Sequence, residues 1–360
     1  MIIQKRKAIW VTLGIVAVLF RWVGGINPEW IEKIYSRGIF QGIRVAIDYL
    51  LAWSPIPLIY PFFILLIFFI GKSAYRLYQS SDSLKKKFYR FASSLAAFIG
   101  GGIFFFLFIW GFNYGRVPVE EEMGLQLSPL NLDELWKELQ DETKQIVRLR
   151  LEIPGATDSA LGKEHLPVNL ERKLRKGVVR QLSRYGYPVP GRVRGRLLYP
   201  KGIFLRFSSS GLYFPFTGEG HVDAGLHPLE WPFVMSHEMA HGYGFGDEGT
   251  CNFWAYLATA QSHDPVIAYM GRLVYWRTLA TNYLIYYPEK YKAFRGKLPA
   301  GIQADLNAIN ENLKKYPDIM PDLRYFAYDT YLKAQGITEG IKNYSRVIMM
   351  VKAWRENTEI

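Results

Sequence analysis

The chain has 360 residues, 49% of them hydrophobic and 21% charged, which is ample for a packed core and excludes a disordered polyelectrolyte. Its formal charge of +12 invites a nucleic-acid reading, but residues 1–116 hold 14 Lys+Arg against 4 Asp+Glu, whereas the rest of the chain holds 30 against 28. The basic excess is confined to the first third, so a nucleic-acid partner is excluded, and the single cysteine, Cys251, excludes an intramolecular disulfide.

That first third is expected to lie in a lipid bilayer. About 20 apolar residues are needed to cross one, and three stretches qualify, at about 8–25, 49–71 and 91–115. The first follows Lys5-Arg6-Lys7 and carries Arg21 near its far end, where a long side chain can snorkel to the interface. No small-x-small cleavage site follows it, so it reads as a retained anchor rather than a signal peptide. The tip has three basic residues, and the loop between the second and third spans has Lys72, Arg76, Lys85, Lys86, Lys87 and Arg90. The loop at 26–48 balances Lys33, Arg37 and Arg44 with Glu29, Glu32 and Asp48. The positive-inside bias then predicts a cytoplasmic N-terminus, and three spans place residues 117–360 outside as a separate domain.

Within that domain the spacing predicts a helix over Leu125 to Leu139, with Asp133 as its cap, and a basic amphipathic helix over Val168 to Tyr185. From Arg192 to Gly225 the pattern alternates with period two between glycines, as in short strands, and residues 218–224 are a candidate edge for an extended peptide. Helices are expected again over Glu248 to Gln261, Pro265 to Tyr286, Gly301 to Lys314, Pro321 to Ala334 and Thr338 to Trp354. The predicted class is α+β and helix-rich, with a small sheet.

The most specific signal is His237-Glu238-Met239-Ala240-His241, on a helix that starts near Pro228 and Pro232 and ends at Gly242. Histidines at i and i+4 share one helix face, so both imidazoles can reach one ion, and Glu238 beside the first can serve a water on that ion. This is the expected arrangement of a catalytic zinc site, Zn2+ being the cofactor. A third ligand is still needed. The sequence offers Asp247, completing HExxHxxGxxD as in metzincin-like enzymes, or Glu248 with Asn252 one turn later, as in gluzincins. Glu248 is preferred because Asp247 suits the cap of the following helix, while Asn252 can hydrogen-bond a ligating histidine. A metzincin would also need a methionine turn, for which Met320 is the nearest candidate. For the oxyanion donor, Tyr243, His263, Tyr269, Tyr275, Tyr286 and Tyr287 are candidates; His221 with Asp223, and His227, are read as surface or turn residues, with a place lining the cleft as the alternative, and His165 has no chemical context.

Taken together, Trp110-Gly111-Phe112-Asn113-Tyr114-Gly115-Arg116, the stretch His237 to Phe245 with Glu248, Asn252-Phe253 and Ala255-Tyr256-Leu257, Tyr328 to Lys333, and Gly340 to Ser345 resemble a family of bacterial membrane proteins known as domain of unknown function 3810, which bears a zincin signature. Relatives usually carry Glu-Asp-Glu-Ala-Asn where this chain has Glu248-Gly249-Thr250-Cys251-Asn252, a departure that removes an alternative ligand at 250. The resemblance implies anchoring in the bacterial cytoplasmic membrane and peptidase-like zinc chemistry, with no substrate named. The expected function is zinc-dependent hydrolysis of a peptide bond, with Glu238 as general base. The alternatives are a non-catalytic scaffold or receptor with a structural zinc site, and an amidase acting on cell-wall peptides.

Overall fold

Uncharged apolar runs build the long helices of the N-terminal part. The computed structural model describes residues 2–24, 27–338 and 345–358, which group into two units. One comprises Met1–Val117 with Pro190–Arg192 and Phe214–Gly218, the other Pro118–Val189, Val193–Tyr213 and Glu219–Ile360.

The first unit contains α1 (Ile2–Gly24), a helical run that is π-helical over Ile31–Ile39 and continues as α2 (Phe40–Leu51), then α3 (Ile59–Tyr78) and α4 (Leu84–Ile109). Two of these, α3 and α4, are long and apolar enough to cross a membrane. The predicted span at 49–71 begins too early, because Pro55 and Pro57 interrupt the helix between α2 and α3. The span at 91–115 is shifted the other way: α4 starts at Leu84, and Trp110 leaves helical geometry before a 3-10 turn at Gly111–Gly115. The first predicted span is helical to Gly24, and its last residue, Gly25, lies outside the described residues. It is a candidate to cross a membrane only together with the run ending at Leu51.

Helices α1 and α4 pack backbone to backbone. A Cβ at Gly14 would lie 2.6 Å from the Gly100 carbonyl oxygen, and one at Gly100 would lie 2.6 Å from that of Trp10. In lipid, where apolar side chains gain little by leaving the solvent, such close backbone approach is a main source of helix association. The charges are paired: Glu32 accepts hydrogen bonds from Arg37 and Arg116, at 2.8 and 2.7 Å, and Arg44 pairs with Asp48 while donating to the Gly218 carbonyl.

In the second unit, α5 (Leu132–Leu151) begins at Asn131 rather than Asp133. The Asn131 side chain accepts from the Asp133 and Glu134 amides, and Glu134 reaches back to the Asn131 N–H at 2.9 Å. This reciprocal box satisfies more of the helix's orphan donors than Asp133 could alone. Next come α6 (Leu170–Arg184) and a three-stranded sheet of β1 (Arg194–Leu198), β2 (Gly211–Phe214) and β3 (Glu219–Asp223) in the order β1-β3-β2. Strand β1 runs parallel to β3, with Arg194 opposite Glu219. Residues 218–224 therefore centre on the middle strand, whose two sides are already hydrogen-bonded, and the edges of the sheet are β1 and β2. Period-two alternation marks strands but carries no information on their order.

The helical remainder comprises α7 (Trp231–Gly242), α8 (Glu248–Ala260), α9 (Pro265–Tyr286), α10 (Pro288–Arg295), α11 (Ala300–Lys314), α12 (Pro321–Ala334) and α13 (Arg346–Thr358). Helix α10 was not expected from the pattern, and α13 starts later than Thr338; residues 339–344, which include most of Gly340 to Ser345, lie outside the described residues. At the centre is α8, whose Phe253, Trp254, Ala255 and Leu257 are fully buried and which packs against α6, α7, α9 and α13. Burial on all sides explains why this helix is apolar around its whole circumference.

Candidate metal centre

Two neighbouring helices bring the polar groups of the core together. Helix α7 presents His237 and His241 one turn apart, with ring centroids 4.8 Å from each other, and α8 presents Glu248 in its first turn. The ligand-type atoms converge: His237 Nε2 is 3.1 Å from His241 Nε2 and 3.0 Å from Glu248 Oε2, and His241 Nε2 is 3.5 Å from the same oxygen. All three residues are buried, and among the described residues they form the one group of this kind able to hold a metal ion.

The outer ring nitrogens are occupied. His237 Nδ1 faces Asn252 Oδ1 at 2.9 Å, and His241 Nδ1 faces the Phe245 carbonyl at 2.8 Å. Both partners are acceptors, so each imidazole carries its proton on Nδ1 and turns the Nε2 lone pair inward. Two lone pairs and a carboxylate oxygen in mutual van der Waals contact repel unless a cation lies among them. A tetrahedral zinc, with bonds of about 2.0–2.1 Å, sets its ligand atoms roughly 3.3 Å apart, which matches the three separations here. Without a metal the proton does this work: burial opposes both charges, yet the interactions with Cys251 and Glu248 hold the His241 imidazole well above its usual range. Burial likewise opposes the Glu248 charge, and His241 and His237 hold that carboxyl well below its own range.

Asp247 does a different job. Its carboxylate accepts the Thr250 N–H at 2.7 Å, capping α8, and lies 3.4 Å from Arg346 Nη1. Cys251 is fully buried with Sγ 3.3 Å from His241 Nδ1, and burial pushes its thiol up to about 12, so it packs as a neutral group behind the histidine. Met320 is largely exposed, in a left-handed conformation just before α12, and forms no turn beneath the cluster.

Glu238 lies against the sheet. A Cβ at Gly211 would sit 2.5 Å from its Oε1, and the Tyr213 backbone N–H donates to the carboxylate, so β2 passes directly over it. Burial pushes this carboxyl up to about 7, with His237 and His241 pulling the other way. Its buried Oε2 has no hydrogen-bond partner among the described residues, as expected of a base whose partner is a water or a substrate.

One contact at the cluster was absent from the sequence expectations. Tyr328, on α12, donates its hydroxyl to Glu248 Oε1 at 2.9 Å from 80 positions along the chain. No local spacing announces it; its only trace is its place in the stretch Tyr328 to Lys333. Among the expected donors, Tyr269 bonds Asp305, Tyr275 bonds Glu138, and Tyr286 and Tyr287 are exposed at the end of α9. Tyr243 is buried just after α7, and His263 lines a groove at the far end of α8. His227 accepts the Leu229 N–H and His165 that of Gly162, so both shape turns. Asp223 holds the amides of Gly202, Phe204, Leu205 and Gly225, which makes it an anchor for the loop after β1.

His221 corrects the expectation of a surface residue. It is fully buried on β3, and neither ring nitrogen has a hydrogen-bond partner among the described residues. Burial, aided by nearby Arg196, pushes its imidazole down to about 4. The unfolded chain, titrating near 6.5, binds a proton in this window that the folded chain refuses. The stability due to neutral His221 is thus complete above about pH 6.5 and is lost as pH falls toward 4, by up to about 3 kcal/mol. Thermal melts of wild type should therefore steepen in their pH dependence between 6.5 and 4 relative to His221→Phe; parallel curves would show that the histidine finds a partner in solution.

Residues 35–351 match the family described as "Protein of unknown function (DUF3810)". Neither a curated protein nor a solved structure matches the chain.

Proposed function

We propose that this chain, which belongs to the DUF3810 family, is a membrane-anchored zinc metallopeptidase of the gluzincin kind. The observation that carries the reading is the convergence of two outward-anchored imidazoles and one buried carboxylate at 3.0–3.5 Å, beside a second carboxylate left free to act. His237, His241 and Glu248 would hold the ion, and Asn252 and the Phe245 carbonyl fix the ring tautomers. Zinc, when bound there, lowers the pKa of a water and polarises a carbonyl.

Glu238 takes the proton of the attacking water and passes it to the leaving amine, a role suited to a carboxyl tuned upward by burial. Tyr328, which donates to Glu248, can turn its hydroxyl toward a developing oxyanion. Strand β2, at an edge of the sheet beside Glu238, is the strand along which an extended substrate would lie. A scaffold with a structural zinc needs no carboxylate with a free oxygen beside the ion, which favours the enzymatic reading. The lysine and arginine bias of the loops supports an extracytoplasmic position for the site.

Elemental analysis of the full-length protein purified in detergent is expected to find about one zinc per chain, and none in His237→Ala; absence of stoichiometric metal in the wild type would end the reading. Tyr328→Phe should keep the metal and lose roughly 10²–10³ in kcat, the usual cost of one oxyanion donor. An unchanged kcat would return Tyr328 to a purely structural role.

A further inference from the structure

A groove of about 850 Å³ opens between α6, the loop before it, and the junction of α8 and α9, at the end of α8 opposite the metal ligands. Its apolar lining comes from Leu174, Ala258, Val266 and Ile267, all buried. Here α6 comes so close to α8 that a Cβ at Gly177 would be 2.8 Å from the Ala258 carbonyl oxygen. On either side of Gly177, facing the same groove, are Lys176 and Arg180.

The charges are unevenly satisfied. Of the two carboxylates that line the groove, Asp264 takes Lys173 at 2.8 Å and Glu164 stands 3.1 Å from His165 Nδ1, while Arg180 spends one Nη on the Gln261 carbonyl at 2.7 Å. The side chains of Lys176 and His263 make no hydrogen bond or ion pair among the described residues. Lys176 and Arg180 are one helical turn apart, about 6 Å along α6. Carboxylates on alternate residues of an extended chain are about 6.6 Å apart and point to one side, with the intervening side chains pointing to the other. An extended segment alternating acidic and apolar residues therefore matches both the cationic wall and the apolar lining.

We propose that this groove binds an extended acidic peptide segment, as an exosite that recruits substrate to the metal centre. The recruiting role rests on the metallopeptidase reading; the binding itself does not. The test uses full-length Glu238→Gln protein in detergent micelles, so that no hydrolysis intervenes, and a fluorescein-labelled hexapeptide of alternating Glu and Leu, read by fluorescence anisotropy. Saturable binding is expected, weakening as salt is raised and about tenfold weaker in Lys176→Glu, whose exposed position leaves the fold intact.

A peptide of alternating Lys and Leu should not bind. Absent saturation, equal binding by Lys176→Glu, or equal binding of the basic peptide overturns the proposal. Binding to vesicles of anionic phospholipid with none to the peptide overturns it in favour of a lipid surface. His237→Ala should bind the peptide as well as its parent does; a wild-type chain that binds the peptide saturably but holds no zinc refutes the peptidase reading alone, and a wild-type chain that holds zinc and hydrolyses peptides without such binding refutes the groove alone.

Discussion

Glu238→Gln is expected to keep its zinc and to lose hydrolysis by about 10²–10⁴-fold. The amide has the shape of the carboxylate and can still accept the Tyr213 N–H, so β2 and α7 need not move. Glu238 is not one of the three converging ligands, so metal content should be unchanged. What the variant lacks is a group able to take a proton from water. Peptides released in cell envelopes containing wild-type protein should be absent with Glu238→Gln at equal protein level. If the same peptides appear at the same rate, Glu238 is not the base.

The largest stability effect is expected at Asp305→Ala. This carboxylate is fully buried and accepts the Arg150 Nε–H at 2.8 Å, the Leu161 N–H at 2.7 Å and the Tyr269 hydroxyl, tying α5, α9 and α11 together. Arg150 also donates to the Thr157 and Ser159 carbonyls, so the loop after α5 hangs on the same group. Removing one partner of a buried ion pair leaves the other charge uncompensated, at a cost of about 3–5 kcal/mol. For a unit of this size that is roughly 6–20 °C in Tm. Lys314, whose pairing with Glu311 is exposed, provides the contrast: Glu311→Ala should move Tm by less than about 2 °C. A small shift for Asp305→Ala would mean that Arg150 finds other partners.

Both effects concern groups of different legibility. His237, Glu238 and His241 are readable because five consecutive residues on one helix fix their relation, and helical geometry is the same in every protein. The apolar runs of α3 and α4 are readable for a similar reason, although their ends moved where Pro55, Pro57 and Trp110 broke helical geometry. Asp305 was invisible: an acid on an otherwise ordinary amphipathic helix looks like a solvated one until its partners, 144 and 155 positions away, are known.

His221 misled for the opposite reason, since a polar residue beside Gly220 and Asp223 resembles a turn until the sheet closes over it. Strand order, too, depended on pairing that alternation does not encode, so the edge beside Glu238 proved to be β2 and not residues 218–224.

By itself the sequence determined a helix-rich chain with an apolar, basic first third and a pair of histidines one turn apart beside a glutamate, because each of these is set by contacts within a few residues. The capping suitability of Asp247 already favoured Glu248 as the third ligand; only the tertiary structure closed Glu248 on the imidazoles, laid β2 over Glu238, and carried Tyr328 to the carboxylate of Glu248. Those choices depend on how α7, α8, α12 and the sheet pack around one core, and packing between distant segments leaves no periodic mark in the segments themselves.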